Sequence, residues 1–551
     1  MRRSGSIAAL ASVLLLAGCV GIPTSGGVVT GAIIDEQVDP DVVVLPDAPR
    51  PGSSQEEILE DFLLALRGPQ SSYAIARQYL ADTFAEVWNP DESAIVRTGI
   101  PVISPGLVAD TLQYTFTSKA IVDASGIYSE PPPAQQTFQY AFVQEDGEWR
   151  ISEAPNGIIL SQSSFDVVFT QQALYFFDPS YQYLVPDVRW FPARATVTTR
   201  IVRELLAGPA GWLQPGAVVS AFPVATTVEG AQIASGTAII DLSVEALTAG
   251  PTDRDRMRQQ LAASLDVGSV VLTVGGSVMD LPPAGAGAIR NPSVEPAVLV
   301  GADGAFGFET SAGIAQVEGI SDQVVAAGAT AATLSNDKQV AAILTPTGVQ
   351  VVRSSGDGPL LVDSRPGLVA PSLDPFRFVW SVPADDPTAL RVFETDGTPH
   401  AVSSGLPSDA QVVSLAVSRD GTRLIVYLDT PAGARLQVAG IIRQADNVPI
   451  ELGSLVDLPV SSATPVAAAW VSDRVVAAVA RGAEAFPVTL VEIGGPSSPL
   501  SQVPNAIGIT GGNGGVDGLR VLAADGSIWQ PRGSGGWVST GLNATFLATR
   551  Q

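Results

Sequence analysis

The chain has 551 residues, of which 46% are hydrophobic and 15% charged, and its formal net charge is −25. At about 150 residues per domain that length holds three or four domains, and so acidic a surface excludes nucleic-acid binding by phosphate neutralisation. One cysteine excludes any disulfide within the chain, so stability rests on packing, which domains of this size supply.

The N-terminus gives that cysteine its setting. Arg2 and Arg3 are followed by an apolar run from Ile7 to Leu16, broken only by Ser12, and then by small residues. A basic start, a short apolar run and a small-residue cleavage site describe a secretory signal; the run is too short to span a bilayer, which takes about 20 residues. Leu16-Ala17-Gly18-Cys19 resembles the lipobox of bacterial lipoproteins. That resemblance implies cleavage after Gly18, an S-diacylglycerol on Cys19 and an N-acyl group on its freed amine. Each buried methylene contributes roughly 0.8 kcal/mol and two chains suffice for stable anchoring. The expected division is therefore a signal peptide over 1–18 and a lipidated cysteine with a flexible tether over 19–54. The tether is rich in Pro, Gly and acidic residues and has a root-mean-square span of roughly 30 Å. The lipid is the expected membrane attachment, because no later stretch reaches 18 uninterrupted apolar residues.

Residues 55–160 read as an α+β domain. Ile58, Phe62, Leu63 and Leu66 share one helical face, and Gly68-Pro69 ends the run. A second helix is predicted over Tyr73–Trp88, then strands over 112–122, 137–144 and 148–159 in an antiparallel sheet. The order is similar to the cone-shaped sheets of NTF2-like domains. Trp88, Tyr114, Phe116, Tyr140, Phe142 and Trp149 are either the lining of a pocket or plain core.

Residues 161–287 carry two strands, a helix with Val197, Ile201 and Leu205 on one face that stops at Gly208-Pro209, and a strand ending Asp241-Leu242-Ser243. A helix with Met257, Leu261 and Leu265 and a last strand, "SVVLTVGG", complete the unit. Order and local motifs resemble the GerMN domain, a family that supplies no catalytic residues to carry over. Asp253-Arg-Asp-Arg256 reads as a helix start, where aspartates favour the positive end of the dipole.

Residues 288–551 repeat an apolar strand, a polar turn with an aspartate and a second apolar strand. The turn aspartates Asp337, Asp374, Asp420 and Asp473 lie 37, 46 and 53 residues apart. Such periods point to a β-propeller, here of about six blades, with the aspartates making Asx-type bonds within their own turns. "GGNGG" at 511–515 reads as a mobile loop.

The fold class is thus multidomain: an α+β N-terminal domain, a GerMN-like α+β domain and an all-β propeller. Signal, lipobox, GerMN-like segment and propeller in this order resemble the actinobacterial LpqB lipoproteins. The resemblance implies a lipid-anchored accessory on the extracytoplasmic face of the cell membrane. It also implies a partner, the extracellular domain of the MtrB sensor histidine kinase, and a link to envelope homeostasis and division. The residues themselves point to no enzyme: the lone His400 has no G-x-S-x-G elbow, zinc of the usual kind needs several Cys or His ligands, and no glycine-rich stretch has P-loop spacing. No cofactor and no metal are expected. The alternative is a non-catalytic receptor holding an envelope glycan or peptide in a propeller mouth or interdomain cleft.

Overall fold

A computed structural model describes residues 46–483, 485–533 and 536–551. The first long helix, Gln55–Ala65, starts at a capping box. The Ser54 hydroxyl accepts from the Glu57 amide, and the Glu57 carboxylate accepts from the Ser54 amide at 2.8 Å, so two helix-end donors are satisfied together. Ile58, Leu59, Phe62 and Ala65 are buried against the sheet.

The helix predicted over Tyr73–Trp88 is instead two short ones, Ala74–Arg77 and Asp82–Val87. Between them the chain joins the sheet edge: Ala81 N donates to Ile151 O at 2.8 Å, and Ile151 N donates to Tyr79 O at 2.9 Å. Backbone groups committed to a strand cannot also close helical turns.

The sheet runs in the order Glu148–Glu153, Ala134–Glu145, Thr111–Asp123, Ser93–Pro105, Ile158–Ser161, with Tyr128–Ser129 beside Thr111–Asp123. It is mixed rather than purely antiparallel, because Ala94–Arg97 pairs in parallel with Ile158–Ser161. The strand Ser93–Pro105 has no counterpart in the sequence reading. Its outer half leaves Ile100 and Val102 exposed and shifts register between Thr98 and Val102, so it lacks the alternation that marks a strand.

In the next unit Phe169–Phe177 and Tyr183–Pro192 pair antiparallel along their length. The helix Val197–Ala207 buries Ile201, Val202 and Leu205 and ends at Gly208, whose φ of 106° favours glycine. Strands Thr237–Leu242 and Ser269–Val274 pair in parallel. A parallel pair needs a crossover, and the helix Pro251–Leu265 provides it, burying Met257, Leu261 and Leu265.

The C-terminal region is six blades, five of four strands and one, beginning at Gln411–Val417, of five. Their innermost strands are Ala331–Leu334, Ser372–Leu373, Gln411–Val417, Pro465–Trp470, Ala506–Thr510 and the last strand, Phe546–Arg550. Each contacts the next, and the ring closes where Phe546–Arg550 joins Val298–Ala302 antiparallel and Ala331–Leu334 in parallel. The C-terminal strand therefore completes the first blade. Closure of this kind joins the first and last blades and leaves only the short outer strand of each blade as an edge.

Candidate functional site

The lipobox residues Leu16, Ala17, Gly18 and Cys19 lie outside the described residues. Of the six aromatic candidates in the N-terminal domain, all but Trp149 are buried. Phe62 meets Trp88 edge-on at 5.6 Å and Tyr140 at 6.4 Å, and Phe116 meets Phe138 at 5.3 Å. These rings are mainly core. Only Tyr114 also lines the neighbouring cavity of about 340 Å³, with Leu63, Arg97, Ile103 and Ile159 among its walls. His400 stands in the strand Pro399–Ala401, with Nε2 2.9 Å from Glu394 and its ring against Phe378.

Three of the four turn aspartates bond within their own turns. Asp337 accepts from the Ser335 hydroxyl and the Gln339 amide, Asp374 from the amides of Phe376 and Phe378, and Asp420 from the Thr422 amide and Ser418 hydroxyl. The turn at Asp473 is closed instead by Ser472, whose hydroxyl accepts from the Arg474 and Val475 amides. The same aspartates also tie blade to blade, which the repeat alone does not reveal. Arg377 pairs with Asp337, Arg443 with Asp374 at 2.7 Å, and Arg423 donates to the Asp473 carbonyl at 2.6 Å. Burial alone would raise the Asp420 carboxyl, but Arg423 and the turn hydroxyls outweigh it and hold it below the usual carboxylate range.

The ring of inner strands encloses a cavity of about 400 Å³, with Thr333, Ser372, Ala416, Ala468, Ile509 and Ala548 among its walls. At one end it meets a second cavity of about 540 Å³, part of whose wall is the stretch from Ile289 to Val294. Arg419 lines both. It is 4% exposed, and its guanidinium donates to Asn513 Oδ1 at 3.1 Å, Thr549 Oγ1 at 2.8 Å and Arg550 O at 2.6 Å. Burial, with Arg550 nearby, pushes its pKa down to about 10. "GGNGG" is not a loose loop. Asn513 is buried and also donates to Pro292 O at 3.0 Å. A Cβ on Gly511 would stand 2.3 Å from Trp470 O, and one on Gly512 would stand 2.2 Å from the Ala297 Cβ. The glycines serve close approach of backbone.

Sequence reasoning missed Arg419 although a signal exists. The residue before the turn aspartate is Asn336, Leu373 and Ser472 in the other three repeats, and a cation only at 419.

Trp190 links all three parts of the body. Its amide donates to Gly126 O and its indole Nε1 to Gly494 O, both at 2.8 Å. Asp91 accepts from Arg194 at 2.8 Å and from Arg200 at 3.1 Å, and Glu130 accepts from the Ser497 hydroxyl at 2.7 Å. Gly440 and Gly453 of the propeller sit against the Trp212 carbonyl, which a Cβ would approach to 3.0 and 2.8 Å. None of these links is visible as a sequence motif.

Comparison with known proteins follows the same three parts. Residues 48–166 match the family described as "Lipoprotein LpqB, N-terminal domain", 173–280 "Sporulation and spore germination", and 304–543 "Lipoprotein LpqB beta-propeller domain". The chain is 28% identical over 331 residues to a protein of Thermobifida fusca named "Lipoprotein LpqB", covering 55% of this chain and 52% of that one. It thus spans about half the length of that relative. A Rhodococcus jostii protein of the same name is 25% identical over 461 residues, 76% of each chain. Among solved structures, the tandem GerMN domains of GerM from Bacillus subtilis align with a TM-score of 0.18 at 19% identity, covering 36% of this chain and 63% of that one.

Proposed function

We propose that this chain, which belongs to the LpqB lipoprotein family, is a non-catalytic accessory anchored by lipid at Cys19 to the extracytoplasmic face of the cell membrane. In this reading it docks on the extracellular domain of an MtrB-like sensor histidine kinase and modulates two-component signalling in envelope homeostasis and division. The observation that supports it best is the interlocking at Trp190 and Asp91. Domains tied in this way present one composite surface at fixed spacing, as a docking partner requires. The choice of a kinase rests on family likeness, and the net charge of −25 favours a basic patch on the partner. The test is a pull-down of the full-length lipoprotein from gently solubilised membranes, read by mass spectrometry. A sensor kinase recovered at low salt and lost as salt rises is the expected result. Recovery of no membrane protein, but of an envelope glycan or peptide, would overturn it in favour of a receptor. One observation favours that second reading: the cavity inside the ring of inner strands, with Arg419 in its wall.

A further inference from the structure

We infer that the propeller channel binds a carboxylate, with Arg419 as the cation it meets. The inference deepens the receptor reading and is independent of docking to a kinase.

The argument begins with charge balance. Removing a charge from water costs several kcal/mol unless a partner compensates, and this chain pairs its other buried arginines with aspartates. Arg189 meets Asp187 at 2.7 Å, Arg443 meets Asp374 at 2.7 Å, and Arg423 meets Asp420. Arg419 enters none of the ion pairs formed among the described residues. The carboxylate next to it in sequence, Asp420, is committed to Arg423, Ser418 and Thr422. The other charge acting on Arg419 is that of Arg550, which repels it.

Arg419 is also a clamp on the last strand, through Thr549 and the Arg550 carbonyl. A clamp needs donors, and a neutral amide supplies donors without the cost of burying a charge. What the clamp leaves unexplained is the charge, and the position supplies its use: the side chain lines both the channel and the cavity at its mouth.

The one uncompensated positive charge sets the ligand class. A phosphate monoester brings about −1.5 to −2, more than the one unpaired charge, into a mouth where Asp337 and Asp374 already stand among Arg290 and Arg377. A carboxylate brings one. The walls are alanines, small aliphatics and hydroxyls such as Thr510, Thr545 and Thr549, which admit a slender, otherwise uncharged chain. The C-terminus of a short peptide has that chemistry.

The experiment uses the full-length lipoprotein in detergent with three probes: N-acetyl-alanyl-alanine, its C-terminal amide and inorganic phosphate. Binding is read by ligand-observed saturation-transfer NMR and by the melting temperature. The acid is expected to bind saturably and raise the melting temperature, the amide to do neither, and Arg419→Gln to weaken the acid at least tenfold while Arg419→Lys keeps part of the affinity. Equal behaviour of acid and amide, phosphate binding more tightly than the acid, or undiminished binding by Arg419→Gln would each overturn the inference. The acid–amide contrast on the unaltered protein decides the matter even if the glutamine variant does not fold. No kinase is present, so failure to capture one leaves this result untouched.

Discussion

Asp420 and Asp473 occupy the same turn position in neighbouring blades and titrate in opposite senses. Both are buried. At Asp420 the Arg423 guanidinium and two hydroxyls overcome the cost of burial, whereas at Asp473 burial outweighs Arg423 and Arg474 and the carboxyl is held above its usual range. A raised folded-state pKa means that the unfolded chain gives up this proton first. The stability associated with a protonated Asp473 is therefore complete below the ordinary carboxylate pKa and lost as pH rises through the folded value. Asp473→Asn removes that loss. It is expected to melt higher than the parent at pH 7 and within error of it near pH 3, and thermal unfolding at the two pH values checks this. Asp420 has the reverse sign: its contribution is present above the ordinary carboxylate pKa and disappears as pH falls through the folded value. An Asp473→Asn protein that melts lower than the parent at pH 7 would show that the carboxylate, not its burial, is what the turn uses.

The elements are held in register by few contacts that sequence periodicity does not encode. Asp91 leaves the N-terminal domain to meet Arg194 and Arg200. Burial would raise its carboxyl, but the two arginines hold it below the usual range, so this link weakens as pH falls. Asp91 is 37% exposed, and solvent screening limits the pair to about 1 kcal/mol. Asp91→Asn is expected to loosen the N-terminal domain without unfolding the propeller. Calorimetry at pH 7 should resolve a separate early transition in the variant, and its difference from the parent should shrink as pH falls through the folded Asp91 value; a single unshifted transition at pH 7 would refute this. The helices bearing Ile201 and Met257 were legible because one apolar face repeats at helical spacing. The blades were legible through their turn aspartates. The strand Ser93–Pro105 was not, since its bulged outer half exposes Ile100 and Val102. The Tyr73–Trp88 helix failed because Tyr79 and Ala81 bond to Ile151 some 70 residues on, and a distant partner leaves no local pattern. Arg419 was marked only as the one cation before a turn aspartate, and its contacts at Thr549 and Arg550 exist only once the ring has closed, across 130 residues and more.

For the whole molecule the balance between charge and anchor decides where it resides. Under the proposed processing, removal of the signal with Arg2 and Arg3 would take the net charge from −25 to −27, and a body so acidic is repelled by anionic headgroups. Among the described residues no helix is long and apolar enough to cross a membrane. In the proposed lipoprotein, retention at the surface rests on the acyl chains at Cys19, each methylene worth roughly 0.8 kcal/mol, and electrostatics opposes it. Two consequences separate this from attachment through a protein partner. Raising salt screens the repulsion and should leave the wild-type protein in the membrane fraction, whereas a charge-mediated complex would release it. Cys19→Ala should appear as shed protein or as an unprocessed precursor, distinguished by fractionation and intact mass. Without the anchor, meeting any membrane partner becomes a bimolecular event, and occupancy should fall by about 10² to 10⁴ for an avidity of the usual size. A Cys19→Ala chain of mature mass that remains wholly membrane-bound and resists a salt wash would place the anchor elsewhere in the molecule.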